Sequence, residues 1–81
     1  MALRVLFFAS LADITGTSEV ELEASPNVTI GAVFATLAAR FPLLEPHRKS
    51  ILFARNSRYA TPDTPVQDGD EIAFLPPVSG G

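Results

Sequence analysis

Only one stretch of this chain carries a helical period, and that limits what the chain can fold into. Ile30, Val33, Phe34, Leu37 and Phe41 recur at the spacing of a single helix face. Ala35, Ala38 and Ala39 favour helix there, while Gly31 disfavours it by about 1 kcal/mol relative to alanine. Thr29 is placed to cap the first turn, and Val28 before it is placed to pack on Val33 as a hydrophobic staple. Pro42 closes the helix by disfavouring helical dihedrals at Phe41. The other apolar segments read as strands. One helix covers one side of one sheet, so the expected class is α+β in two layers.

Leu3 to Ala9 is apolar at most positions and is expected to lie centrally in the sheet. Leu11 to Ser18 reads as a loop, with Asp13 and Gly16-Thr17-Ser18 as turn chemistry. Glu19-Val20-Glu21-Leu22-Glu23 alternates as a half-buried strand with its glutamates in water. After the helix, Leu43 to Ser50 reads as a connector and Ile51 to Arg55 as a third strand. Asn56-Ser57-Arg58 is a turn before a very short strand at Tyr59-Ala60. Asp68-Gly69 is a strong turn signal before a last strand, Glu71 to Leu75. If the first and last strands are both central and adjacent, they run parallel. The sheet is then mixed, a β-grasp of four to five strands with one main helix on one face.

Period-two alternation divides the central strands. Ile72 and Phe74 share the helix side with Leu3, Val5 and Phe7. Arg4 and Glu71 mark the other side, which leaves Leu6, Phe8, Ala73 and Leu75 on an open face, with Tyr59 flanking them. A small sheet leaves some apolar surface uncovered in any case. This patch, however, lies beside the chain's most unusual segment, and those five residues are the candidate partner interface.

That segment is Pro76-Pro77-Val78-Ser79-Gly80-Gly81. The prolines have fixed φ and no N–H, so a strand reaching them cannot continue its ladder and the chain is pushed off the sheet. The glycines have no Cβ and suit a slot too narrow for other residues. The expected organisation is therefore a domain over residues 1–75 and a flexible tail over 76–81. A terminal Gly-Gly is often merely frayed chain.

At 81 residues, 47% of them hydrophobic, the chain fits one domain with a single core. It has no cysteine, so neither a disulfide nor a thiolate metal site is available, which is compatible with a reducing compartment. The first residues lack a signal-peptide pattern, no apolar run reaches membrane-helix length, and a cytoplasmic location is expected. The Asn27-Val28-Thr29 sequon is incidental on that reading. The formal net charge is -3. Arg40, Arg48, Lys49, Arg55 and Arg58 are scattered without interleaved aromatics, which argues against nucleic acid and for a basic partner surface.

No nucleophile elbow, phosphate loop or zinc motif occurs. His47 stands alone in a connector without an acid, base or ligand partner. Asp68, Asp70 and Glu71 are dense, but the Asp-Gly-Asp spacing suits a turn and is too short for a calcium loop. No catalytic residue and no metal ligand is assigned. The remaining reactive group is the Gly81 carboxylate, a poor electrophile that requires activation by another enzyme.

Val5-Leu6-Phe7-Phe8-Ala9, the run from Asp68 to Gly81, and the overall length resemble the MoaD/ThiS family of ubiquitin-like sulfur carriers, in its molybdopterin synthase branch. The resemblance covers the whole chain in element order. It departs at Arg55, where the family usually has valine before an asparagine, and no role is assigned to that arginine. The resemblance implies a β-grasp fold and a cycle centred on Gly81. An activating enzyme uses ATP to adenylate Gly81, and a sulfur donor protein converts it to a thiocarboxylate. Pro76, Pro77, Val78, Ser79 and Gly80 thread the tail into the large subunit of molybdopterin synthase, in a heterotetramer of two small and two large chains. There the sulfur passes to cyclic pyranopterin monophosphate for molybdenum cofactor biosynthesis. No tightly bound cofactor, nucleic acid or membrane is implied. The alternatives are a carrier for thiamine or tRNA thiolation, a protein modifier, or a β-grasp binding module with an inert tail.

Overall fold

A computed structural model of the chain describes residues 2–77. Five strands form one sheet: β1 (Ala2–Phe7), β2 (Glu19–Glu23), β3 (Leu52–Arg55), β4 (Arg58–Ala60) and β5 (Glu71–Leu75). Their order is β2-β1-β5-β3-β4. β1 and β5 pair in parallel, and every other pairing is antiparallel. This is the mixed β-grasp sheet that two apolar strands at the centre demand.

The main helix, α2 (Ile30–Arg40), lies on one face and buries Ile30, Val33, Phe34 and Leu37. The Thr29 hydroxyl accepts from the Ala32 N–H at 3.2 Å, as an N-cap should. Phe41 is the C-cap, and its ring still meets Phe7 edge-on at 5.9 Å. The irregular segment before β5 serves the helix start. Backbone N–H groups of Ile30 and Gly31 donate to the carbonyls of Thr64 (2.9 Å) and Pro62 (2.8 Å), satisfying donors that a helix leaves orphaned. A Cβ on Gly31 would stand 3.2 Å from the Pro62 oxygen. The glycine that propensity disfavours keeps this close approach free of a tight Cβ contact.

The core is a ring of edge-to-face aromatics. Phe74 of β5 contacts Phe7, Phe34 and Phe53 with centroids 5.7, 5.6 and 5.3 Å away. Leu3, Val5, Ile72, Leu44 and Val66 close around them.

The structure corrects three expectations of local structure. The segment read as a loop holds a short helix, α1 (Ser10–Thr15). Leu11 anchors it in the core, and Gly16 ends it in the left-handed region, donating to the Ala12 carbonyl at 2.9 Å. Six residues are too few to display a helical period, so the pattern did not reveal it. The connector after α2 contains a 3-10 turn, Pro42–His47, which buries Leu44. β1 also stops at Phe7, two residues earlier than expected, because Ala9 takes φ 51 and ψ -125 and turns the chain toward α1. Phe8 nonetheless extends the ladder, its N–H donating to the Phe74 carbonyl at 3.1 Å.

Candidate functional site: the open sheet face and the root of the tail

Strand register assembles the candidate interface. One transverse rank across the open face reads Glu19, Leu6, Ala73, Ala54, Tyr59, from β2 to β4. The middle of that rank is methyl-sized and its flanks are large. The result is a groove of about 250 Å³ floored by Ala54 and Ala73 and walled by Leu6, Phe8, Tyr59 and Leu75, with Ser57 and Glu71 at its margin. All five residues expected at the interface therefore line one groove. Tyr59 is 76% exposed and Phe8 44%, high values for side chains of their size.

Three contributors were missed. Ala54 and Ser57 line the groove, and Leu52, half-open to solvent, pairs with Leu75 at its tail end. The signal was present, because Phe53 is an obvious core residue and its neighbours on β3 must then face outward. Phe8 is shared with a second hollow formed with Phe7, Ala9, Ala12, Ser18 and Glu19, so it stands as a ridge between two depressions. Ala9 sets that ridge. Its backbone occupies a region natural to glycine, a strain of roughly 1–3 kcal/mol.

The turn before β5 is fixed by a polar knot. Asp70 is 6% exposed. Its carboxylate accepts from Arg55 Nε at 2.6 Å, Asn56 Nδ2 at 2.9 Å and the Gln67 N–H at 2.7 Å. Asn56 Oδ1 in turn accepts from the Glu71 N–H at 2.9 Å. Burial alone would push the Asp70 carboxyl up; the hydrogen bonds from Arg55, Asn56 and Gln67, with the Arg55 charge, outweigh it and hold it below its ordinary value. The knot ties the β3–β4 hairpin, which supplies one groove wall, to the start of β5. Asp68 works beside it, accepting from the Ala2 N–H at 2.7 Å. Arg55, which had no assigned role, is an internal counter-ion. The dense acids are a turn, as their spacing indicates.

β5 runs between β1 and β3 and delivers the chain to Pro76, half-buried, and Pro77, exposed, beside Leu75 and the groove. Val78, Ser79, Gly80 and Gly81 lie outside the described residues. His47 sits at the end of the 3-10 turn, exposed, and its carbonyl accepts from the Ser50 and Ile51 N–H groups. Among the described residues no three His, Cys, Asp or Glu side chains gather as a metal site, and no helix is long and apolar enough to cross a membrane.

The geometry can thus hold a partner on an apolar face and aim a tail from that face's edge. Comparison with known proteins points the same way. The ThiS family model matches residues 5–81. A molybdopterin synthase sulfur carrier subunit of Escherichia coli is 39% identical over 82 residues, covering 98% of this chain and 99% of its own. Among solved structures, SAMP1 from Haloferax volcanii superposes with a TM-score of 0.89 at 29% identity, covering all of both chains. A chain from the complex of subunits 1 and 2 of molybdopterin-converting factor of Helicobacter pylori does so at 0.71 and 26% identity, again covering 100% of each.

Proposed function

The chain belongs to the ThiS family, and from that premise we propose that it is the sulfur carrier subunit of a molybdopterin synthase. The observation that carries the reading is the placement of β5. A central strand ends in Pro76-Pro77 at the rim of an apolar groove, so whatever docks in the groove also receives the tail. Relatives along the whole length are sulfur carrier subunits of that enzyme.

On this reading the chain is a non-catalytic, cytoplasmic carrier, and Gly81 is its cargo site. A partner activating enzyme spends ATP to convert the Gly81 carboxylate to an acyl adenylate, making AMP the leaving group. Sulfide-level sulfur supplied by the donor protein attacks the acyl carbon, displaces AMP and leaves a thiocarboxylate. The domain then docks on the large subunit, in an assembly of two small and two large chains, and the tail presents the sulfur to cyclic pyranopterin monophosphate. Pro76 and Pro77 lower the ordering cost of the stalk, which for free backbone is about 1–2 kcal/mol per residue. Gly80 and Gly81 give access. Activating enzyme and large subunit use the same groove and therefore compete for it.

The test is intact mass after incubation with the cognate activating enzyme, ATP and a sulfur donor. The expected product carries one oxygen-to-sulfur replacement and supports pterin dithiolene formation by the large subunit. An unchanged mass contradicts the reading. The likeness to SAMP1, one of the small archaeal modifier proteins, favours a second acceptor, protein lysines. Lysine-linked conjugates through Gly81, formed in place of dithiolene product, would select that reading.

A further inference from the structure

The open face is electrically lopsided. Glu19, Glu21 and Glu23 of β2 and Glu71 of β5 lie on it beside the groove, with Arg4 as the cation among them. Arg4 is held within the strip, its Nε 2.9 Å from Glu19 Oε2, its second nitrogen donating to Glu19 Oε1 at 3.0 Å and its third 3.7 Å from Glu71 Oε2. Glu19, Glu21 and Glu71 against Arg4 leave a formal -2 at the centre of this strip. Elsewhere Glu45 pairs with Arg48 and Asp70 with Arg55. Glu19, Glu21 and Glu23 sit on one side of the groove, on β2, about two strand spacings, roughly 10 Å, from the Ala73 floor, and Glu71 stands at the groove margin.

We infer that the partner seated on this groove carries a cluster of lysine and arginine side chains next to the apolar projection that fills it, and that this charge pairing sets the speed and orientation of docking. The inference rests on the proposed function only in saying which protein to test. Exposed ion pairs add little affinity, at most about 1 kcal/mol each. A concentrated patch beside a binding site instead raises association rates, by about 10- to 1000-fold at low salt. The rank from Glu19 to Tyr59 also has a direction, acid at one end and aromatic at the other. A partner docked backwards would lay its cations on Tyr59 and leave the glutamates unmatched. A partner with an acidic rim is repelled, as is a second copy meeting the first through this same face.

The experiment is stopped-flow association of the full chain with its cognate large subunit across ionic strength. For the wild type, the association rate constant falls at least about tenfold as the Debye length shrinks from about 30 Å to about 3 Å. The Glu21→Gln, Glu23→Gln double variant leaves the Arg4–Glu19 pair intact. At low salt it associates roughly three- to tenfold more slowly, with a flatter salt dependence, and Glu21→Lys is slower than Glu21→Gln. A complex that forms with a salt-independent rate, or faster in the glutamine variant, overturns this inference and leaves the function standing. Absence of any complex with the large subunit overturns the function and this inference with it. Self-association of the free chain that disappears in the double variant assigns the strip to a second copy and also overturns it.

Discussion

The two faces of the sheet are built from the same strands and do opposite things. On β5, Ile72 and Phe74 are fully enclosed, while Ala73 and Leu75 between and beyond them are half-open. The helix-side residues interlock as an aromatic cluster beneath α2. The open-side residues are graded from large to small to large and leave a groove. Burial is concentrated on one side of a single pleat, and the groove lies on the other. Function can then change by outward substitution at little cost to the fold, because alternate residues answer to different demands.

The contrast is easiest to break at Phe74. Phe74→Ala removes the ring that touches three others and is expected to cost about 3–5 kcal/mol, read from chemical denaturation. A loss below about 1 kcal/mol would mean that the inward face is not where stability resides.

Asp70→Asn comes next, at about 2 kcal/mol, because a charge-assisted network is reduced to neutral hydrogen bonds while Arg55 keeps access to water. The sign with pH follows from the depressed carboxyl of the folded state. Its stabilisation is complete above the unfolded value of about 4 and is lost as pH falls through the folded value. Wild-type stability should therefore decline on acidification below about pH 4, and the asparagine variant should decline less. Parallel acid limbs in the two proteins would remove Asp70 from the account.

Tyr59→Ala probes the other face. Truncating this exposed ring should leave unfolding within about 0.5 kcal/mol of wild type, while the dissociation constant for the large subunit rises about tenfold or more. Unchanged binding would place recognition elsewhere. The smallest effect is expected at Ala9→Gly, which relieves the positive-φ backbone and should stabilise by about 1 kcal/mol. If the strain exists to aim Phe8, binding should weaken in the same variant.

Much of this was legible before any coordinates. The helix stripe, its Thr29 cap, the adjacency of first and last strands and the gathering of Leu6, Phe8, Ala73 and Leu75 on one face all follow from periodicity, because burial acts on every second or every third-to-fourth residue. Short elements were not legible. Ser10–Thr15 is one and a half turns held by Leu11, and a single anchor has no period. Gly31 read as a propensity defect because the carbonyl it packs against comes from Pro62, far along the chain. Arg55 and Asp70 looked like a surface cation and a turn acid for the same reason; their pairing spans a hairpin and a loop. The partition of charge onto the open face needed the strand order, since composition gives only the total.

Removal of Gly81 tests the central claim, a fold that holds and presents a tail that carries. Sulfur loading is read by intact mass and folding by thermal unfolding, on the same sample. The account predicts no oxygen-to-sulfur gain with an unfolding midpoint equal to that of the full chain. Sulfur uptake at the wild-type level, or a lowered midpoint that explains the loss, would contradict it.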